Sequence, residues 1–224
     1  MDKDLKNIKA IIFDMDGVIV DSEPLHDEAR RITCEKYRIK CPPRETGHNN
    51  FRGKPVSEIF KYIVREYNKN DDISVDELAD YKTKIFLEIA SEKLQPIPGV
   101  LEFIKKCRDK YNKLALTTSA REEVKKLVFE KFDLSDYFDA IVTREEIKNG
   151  KPHPEPFLKT VSKIGVPAED CLVIEDSYNG TISASKAGCV TMGITTYFNK
   201  EKLKDAGADY VVDSFIELSK LLEL

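Results

Sequence analysis

Short apolar runs alternate with amphipathic stretches along most of this sequence, and this alternation restricts its possible folds more than any other feature. The runs lie at residues 10–13, 114–117, 140–142, 172–174, 190–194 and 210–212. Between them, apolar side chains recur at helical spacing around residues 100–107, 124–132 and 157–164. Strands that alternate with helices in this way are typical of βαβ units. We therefore predict an α/β fold with a doubly wound, mostly parallel sheet, whose strand carboxyl ends share one edge.

One long interval, residues 23–93, departs from this alternation. It contains helical patterns at 25–37, 56–67 and 75–93, and no apolar run that resembles a strand. The last pattern opens with Ser74 and Glu77 at capping-box spacing. A crossover connection needs far fewer residues. The sequence thus predicts a helical cap domain over residues 23–94, inserted into an α/β catalytic core of residues 1–22 and 95–224.

Composition and charge exclude several classes of function. The chain is 41% hydrophobic and 34% charged, which is ordinary for a globular protein. Its net charge of −4 argues against a nucleic-acid partner, and means that local positive groups must hold any anionic substrate. No apolar run approaches the roughly 20 residues that cross a bilayer. Because the first residues are charged, we expect a cytoplasmic protein with no membrane partner. The five widely spaced cysteines indicate neither a disulfide framework nor a zinc site.

Two aspartates follow the first predicted strand. Asp14 and Asp16 are two positions apart and precede Gly17, so both carboxylates could face one point beyond the strand end. Two such carboxylates repel each other unless a cation or a proton lies between them. An isolated Asp-x-Asp is more often a turn or capping pair, but its position after an apolar strand favours a functional role.

Polar residues also follow three later strands. Thr118 could offer its hydroxyl and backbone N–H to an anion, whereas Ser119 could simply cap the next helix. Lys151 lies in a segment rich in glycine and proline, which indicates a fixed rather than a merely solvated lysine. Glu175 and Asp176 supply carboxylate oxygens, the ligands that Mg²⁺ prefers. Together these residues indicate one site at the carboxyl edge of the sheet.

In this order, the motifs resemble those of the haloacid-dehalogenase-like phosphotransferase superfamily, in the branch of β-phosphoglucomutases and small phosphosugar phosphatases. The resemblance covers essentially the whole chain, and the helical insert lies where this branch carries its cap. The matching motifs are Phe-Asp-Met-Asp-Gly-Val at 13–18, the strand ending at 118–119, Lys-Pro-His-Pro at 151–154, and Ile-Glu-Asp-Ser-x-x-Gly at 174–180.

The resemblance implies a role for each core residue. Asp14 would attack phosphorus and form an aspartyl-phosphate, and Asp16 would act as general acid and base. Thr118 would hydrogen-bond the phosphoryl oxygens as a catalytic residue, and Ser119 would bind the substrate. Lys151 would balance the charge of Asp14 and the phosphoryl group. Asp14, the Asp16 backbone carbonyl, Glu175 and Asp176 would hold Mg²⁺, directly or through water.

The resemblance also implies substrate-binding residues on the cap, namely His26, Arg52, Gly53, Lys54 and Lys82. The alternatives are a polar residue on the first cap helix for His26 and a solvated helix face for Lys82. The mutase pattern places an arginine where this chain has Val56, which weakens the mutase interpretation.

We therefore expect a Mg²⁺-dependent phosphatase that hydrolyses a small phosphorylated metabolite, such as a sugar phosphate, and acts as a monomer. The alternative is a phosphosugar mutase of the β-phosphoglucomutase type, which shares the core residues. A receiver-type signalling module uses similar residue types, but the order of the motifs and the inserted cap do not suit it.

Overall fold

A computed structural model describes residues 5–43, 51, 54–68 and 73–224. Its strands are β1 (Ala10–Phe13), β2 (Lys113–Thr117), β3 (Ala140–Val142), β4 (Cys171–Glu175), β5 (Val190–Ile194) and β6 (Tyr210–Val212). They form a six-stranded parallel sheet with the order β3-β2-β1-β4-β5-β6. The α/β prediction is confirmed, and each apolar run forms a strand.

Helices connect the strands and cover both faces of the sheet. They are α1 (Glu23–Lys36), α2 (Val56–Ile63), α3 (Val75–Lys93), α4 (Val100–Lys110), α5 (Glu122–Phe132), α6 (Glu155–Ile164), α7 (Tyr178–Lys186), α8 (Lys200–Asp205) and α9 (Phe215–Leu221). A π-helical turn at Val64–Asn68 continues α2. Within the described residues, no helix is both long enough and apolar enough to cross a membrane.

Strand β1 shows why the sheet is buried on both faces. All four of its residues are inaccessible to solvent. Ile11 and Phe13 join the larger apolar core, whereas Ala10 and Ile12 join the smaller core on the opposite face. Alternate side chains of a strand point to opposite faces, so a strand covered on both sides needs the continuous apolar run that the sequence contains.

The long interval between β1 and β2 is helical in its described part. There α1 packs against α3, and α2 packs against α3 around a separate apolar cluster that includes Phe51, Phe60 and Leu78. Helix α3 begins as predicted, because the Ser74 hydroxyl accepts a hydrogen bond from the Glu77 backbone N–H at 3.3 Å. The division into core and cap domains stays a prediction.

Two backbone hydrogen bonds join the ends of this helical insert. The N–H of Asp21 donates to the carbonyl of Gln95 at 3.0 Å, and the N–H of Ile97 donates to the carbonyl of Ile19 at 2.9 Å. The chain therefore leaves and re-enters the α/β part through two adjacent segments.

The strand order reverses between β1 and β4, because β2 and β3 lie on one side of this pair and β5 and β6 lie on the other. In open α/β sheets, ligands bind in the crevice outside the strand carboxyl ends at such a reversal. The fold thus predicts a ligand site among the residues that follow β1 and β4.

We expect Phe103→Ala to lower the free energy of unfolding by about 3–5 kcal/mol. Phe103 on α4 is buried, and its ring lies 6.0 Å from that of Phe13 and 5.0 Å from that of Phe215. Urea denaturation measures this change. The control is Leu101→Ala on the same helix, where the side chain is 37% exposed and the loss should be below about 1 kcal/mol. Equal losses would contradict this account of the core.

Candidate active site

Three buried carboxylates meet at the reversal of strand order. Asp14 follows β1, and Glu175 and Asp176 end or follow β4. The two strands pair so that Phe13 lies opposite Ile174, and the N–H of Asp14 donates to the Ile174 carbonyl at 3.1 Å. Oxygen atoms of the three carboxylates lie within 4.8 Å of one another. The parallel register of β1 and β4 therefore assembles an acidic cluster from two distant parts of the chain.

One lysine side chain enters this cluster. The Lys151 ammonium donates to Asp14 Oδ1 at 2.7 Å and to Glu175 Oε1 at 2.5 Å, and the residue is 3% exposed. It also lies 5.0 Å above the ring of Phe157 on α6. Burial alone would lower the pKa of Lys151, but the two carboxylates raise it above the ordinary value. Lys151 is therefore a charged ammonium in the site.

The start of α7 holds Glu175 from the other side. Both the backbone N–H and the hydroxyl of Ser177 donate to Glu175 Oε2, at 3.0 and 2.9 Å. The same hydroxyl accepts a hydrogen bond from Gly180 N, which caps the helix. Glu175 thus has partners on both carboxylate oxygens, and its position is fixed.

Two glycines leave room for the carboxylates. A Cβ atom on Gly180 would lie 1.7 Å from Glu175 Oε1, and one on Gly17 would lie 2.3 Å from Asp176 Oδ2. Gly17 also has a φ of +83°, in the left-handed region that glycine favours. These glycines are required because the carboxylates occupy the space where other side chains would begin.

The donor set fits a divalent cation. Three carboxylates share one ammonium, so the buried cluster carries excess negative charge. Burial raises the pKa of Asp14 to about 8, the negative charges of Glu175 and Asp16 add to this effect, and Lys151 opposes it. A cation bound by these oxygens would compensate that charge and return Asp14 to its carboxylate form. Hard oxygen ligands are those that Mg²⁺ prefers.

The Asp16 carboxylate belongs to a different set of contacts. Its Oδ1 accepts from the Ser22 hydroxyl at 2.5 Å and lies 3.3 Å from His26 Nε2 on α1. His26 Nδ1 lies 2.5 Å from the Lys82 ammonium on α3, and the imidazole stacks on Phe86 with ring centroids 4.0 Å apart. Because an ionised carboxylate only accepts, Nε2 carries the hydrogen directed at Asp16, and Nδ1 of the neutral imidazole accepts from Lys82.

These contacts, together with burial, determine the protonation states of Asp16, His26 and Lys82. Burial would raise the pKa of Asp16, but hydrogen bonds from His26 and Ser22 and the charge of Lys82 outweigh burial and lower it. Burial, reinforced by the charge of Lys82, lowers the pKa of His26 to about 4. Burial also lowers the pKa of Lys82 to about 7, although Asp16 opposes this change. Near neutral pH, Asp16 is ionised and His26 is neutral.

The structure at the end of β2 contradicts the prediction that the backbone N–H of Thr118 binds an anion. The backbone N–H of Thr118 donates to the carbonyl of Val142 at 2.9 Å, because the pairing of β2 with β3 continues one residue beyond the strand. This N–H is therefore not available to an anion. The Thr118 hydroxyl accepts from Ala120 N at 3.0 Å, so its hydrogen can still be donated.

The suggestion that Ser119 caps a helix is also wrong. Helix α5 begins at Glu122, and Arg121 occupies its N-cap position. Ser119 instead lines the cleft.

A cleft of about 870 Å³ lies over these groups, between the carboxyl edge of the sheet and the helices of the insert. The predicted site residues that line it are Asp14, Asp16, His26, Lys54, Lys82, Ser119, Lys151 and Asp176. Thr118 and Glu175 are fully buried. Lys82 is 6% exposed, so it does not belong to a solvated helix face. Arg52 and Gly53 lie outside the described residues.

The sequence interpretation missed several cleft residues. Ser22 and Phe86, which fix Asp16 and His26, carried no pattern of their own. Tyr197 lines the cleft and donates its hydroxyl to Asp21, 176 positions away in the sequence. Arg30 also lines the cleft, and its position four residues after His26 on α1 could have identified it, since such residues share one helix face.

Comparison with known proteins assigns the family. Residues 11–194 match the model of the haloacid dehalogenase-like hydrolases, and the chain belongs to this family. It is 36% identical over 208 residues to a phosphorylated carbohydrates phosphatase of Thermotoga maritima, which covers 90% of this chain and 92% of the relative.

Two solved structures have the same architecture. The β-phosphoglucomutase of Clostridium difficile superposes with a TM-score of 0.84 at 28% identity, over 96% of both chains. CbbY of Rhodobacter sphaeroides, solved with phosphate, superposes with a TM-score of 0.87 at 25% identity, over 97% of this chain and all of that one. The predicted resemblance to the phosphosugar phosphatase and mutase branch is confirmed.

We expect Asp14→Asn to stabilise the metal-free protein above neutral pH. The pKa of Asp14 is about 8 in the folded chain and 3.8 ordinarily, so between these values the folded form holds a proton that the unfolded form has lost. This contribution to stability is present at low pH and disappears as pH rises toward 8. At pH 8.5, the variant should gain at least about 1 kcal/mol, or about 2–4 °C in Tm.

Thermal unfolding between pH 5 and pH 8.5 in chelator measures this gain. The control is Asp170→Asn. Asp170 lies just before β4, at the amino end of the strand and away from the acidic cluster, and pairs with the exposed Lys9. Added Mg²⁺ should then stabilise the natural protein more than Asp14→Asn. An Asp14→Asn protein that is less stable than the natural one at every pH would contradict the electrostatic assignment.

Proposed function

We propose that the protein is a Mg²⁺-dependent phosphatase that hydrolyses a small phosphorylated carbohydrate through an aspartyl-phosphate on Asp14. The observation that carries this proposal is the separation of two neighbouring aspartates into different environments. Asp14 lies against Lys151 and the acidic cluster, whereas Asp16 lies against Ser22 and His26. Two carboxylates with different surroundings can perform the two different tasks of nucleophile and acid/base.

The nucleophile is Asp14, because it is positioned beside the positive charge that a phosphoryl group requires. An oxygen of Asp14 forms a bond to phosphorus as the bond to the leaving alcohol oxygen breaks. Lys151 reaches Asp14 and balances the added phosphoryl charge. Asp14, Asp176, Glu175 and the Asp16 carbonyl would hold Mg²⁺, which supplies further positive charge at the transferring group when bound.

Asp16 transfers the protons in both halves of the reaction. Its first role is to protonate the leaving oxygen, and its second is to take a proton from the water that attacks the aspartyl-phosphate. Because its pKa is lowered, Asp16 is ionised near neutral pH and can accept the proton in the second role. The negative charge of a bound phosphate ester raises the pKa of Asp16 and favours the protonated form that the first role needs. The His26–Lys82 pair holds the carboxylate in place for both.

The substrate class is supported by the cleft and by the relatives. A volume of about 870 Å³ accommodates a sugar phosphate, and the Thermotoga maritima relative is named for phosphorylated carbohydrates. The Ser119, Lys54 and Lys82 side chains face the same cleft and can contact the substrate. Roles for Arg52 and Gly53 in substrate binding stay predictions.

A mutase is the second candidate, since the chain superposes on a β-phosphoglucomutase. A mutase transfers the phosphoryl group from Asp14 to a second hydroxyl instead of to water. Val56, the first residue of α2, lines the cleft where the mutase pattern has an arginine, and this favours the phosphatase. Incubation with excess β-glucose 1-phosphate and a catalytic amount of bisphosphate primer separates the two. A mutase forms glucose 6-phosphate far in excess of the primer, whereas a phosphatase forms glucose and inorganic phosphate.

We expect chelation of divalent ions to abolish hydrolysis of phosphate monoesters, and Mg²⁺ to restore it. The reason is the excess negative charge of Asp14, Glu175 and Asp176, which keeps Asp14 protonated and repels a phosphate group when no cation is present. Release of phosphate from p-nitrophenyl phosphate and from a panel of sugar phosphates measures activity. Unchanged turnover in excess chelator would overturn the metal assignment.

We expect Asp14→Asn and Asp16→Asn to fail at different steps. Asp14→Asn should abolish the phosphoenzyme trapped by acid quench from a radiolabelled substrate. Asp16→Asn should keep the nucleophile but lower kcat by about 10²–10⁴-fold, the usual contribution of acid–base catalysis. Asp170→Asn serves as the control and should leave kcat unchanged. If Asp14→Asn still trapped label covalently, another residue would be the nucleophile.

A further inference from the structure

A buried arginine on the cap side of the cleft has no role in the chemistry described above. Arg30 on α1 is 5% exposed and lines the cleft. It follows His26 by four residues, so both side chains project from the same face of α1. Four residues of helix span about 6 Å. Arg30 is thus about one helical turn further along α1 from the contact of His26 with Asp16.

The guanidinium of Arg30 is held in position by its neighbours, but one of its nitrogen donors forms no hydrogen bond with the described residues. Its Nη2 donates to Asp27, one turn earlier on α1, and its carbon lies 5.1 Å from the ring centroid of Phe51. A hydrogen bond from Arg30 also helps to lower the pKa of the Cys41 thiol, after the larger effect of Cys34. The Nε atom is buried and has no hydrogen-bond partner among the described residues.

A second buried cation faces the same space. Lys82 on α3 lines the cleft, and the positive charge of Arg30 contributes to its lowered pKa, after burial. The exposed Lys54 adds a third positive charge to this wall, which also carries the carboxylates of Glu23 and Asp76. An anion between Arg30 and Lys82 would relieve their repulsion.

We propose that Arg30 is a specificity-determining residue that binds a second anionic group, a carboxylate or a phosphate, on the leaving-group portion of the substrate. The enzyme then prefers phosphate monoesters whose alcohol carries an anion over those whose alcohol is neutral. Arg30 stands apart from the reacting atoms and contributes to binding the leaving group. This inference rests on the proposed phosphatase function.

The test compares matched substrates that differ in the second anion. Glycerol 3-phosphate and 3-phosphoglycerate differ by a carboxylate, and glucose 6-phosphate and glucose 1,6-bisphosphate differ by a phosphate. The natural enzyme should have a kcat/KM at least about tenfold higher for the anionic member of one pair, and that pair identifies the anion. A charge-assisted hydrogen bond corresponds to about 10- to 100-fold. No preference in either pair would overturn the proposal.

Variants then assign the preference to Arg30. Arg30→Gln should remove the preference by raising KM for the anionic substrate, and Arg30→Lys should retain part of it, since the charge remains. Neither variant should lose more kcat/KM on p-nitrophenyl phosphate than on the neutral member of the pair, because neither of these esters carries a second anion. The control is Arg31→Gln, which removes the neighbouring, exposed arginine and should change neither value.

The two levels of the proposal fail differently. If the natural enzyme hydrolyses none of these esters, p-nitrophenyl phosphate included, the proposed phosphatase function is wrong. If it hydrolyses them and Arg30→Gln loses activity equally on all, Arg30 is structural and the specificity inference is wrong. If Arg30→Gln does not fold, Arg30→Lys is the deciding variant. Partial loss of the preference would support recognition of the anion by the guanidinium, and full retention would contradict it, because lysine lacks the planar pair of N–H donors.

Discussion

The structure depends on one buried interaction, the contact of the Lys151 ammonium with Asp14 and Glu175 at the carboxyl edge of the sheet. Transfer of these charges out of water is expensive, and the attraction between them offsets the cost only when the geometry is accurate and the other oxygens are also bonded. Several local features serve this requirement. Ser177 bonds the second oxygen of Glu175, and Gly180 leaves it space. The pairing of β1 with β4 then sets the positions of Asp14 and Glu175 relative to each other.

The two aspartates of the first motif depend on different parts of the molecule. The partners of Asp14 come from the α/β core, whereas His26 and Lys82, which act on Asp16, lie on helices of the insert. The pKa of Asp16 is therefore tied to the position of these helices relative to the sheet. If they moved away, Asp16 would lose the His26 hydrogen bond and the charge of Lys82, both of which lower its pKa. If Asp16 is the acid/base group as proposed, the insert would do more than cover the substrate, because it would also set the charge of this group.

The sequence predicted those features that depend on local pattern and on chain order. Apolar runs identified every strand of the sheet, since a strand covered on both faces cannot alternate with polar residues. Motif order at the strand ends brought Asp14, Lys151, Glu175 and Asp176 together, because parallel strands share one carboxyl edge. The backbone N–H of Thr118 was assigned wrongly, because the extent of strand pairing depends on the neighbour and not on the residue itself. Contacts such as Tyr197 with Asp21 could not be predicted, because no local pattern relates two loops 176 positions apart.

In the proposed reaction, the core residues alone could not select a substrate. Asp14, Lys151 and Asp176 would surround the phosphoryl group, which every phosphate monoester has in common. In the proposed reaction, discrimination would come from groups that contact the alcohol portion, and Arg30 and Lys82 of the insert line the same cleft. The chain as a whole is negatively charged, with a net charge of −4, so its overall field opposes a substrate with two anionic groups. Arg30 and Lys82 provide positive charge in the cleft, where burial strengthens each interaction. A preference for an anionic leaving group would then arise from two helices of the insert, while the sheet edge supplies the chemistry for any ester that reaches it.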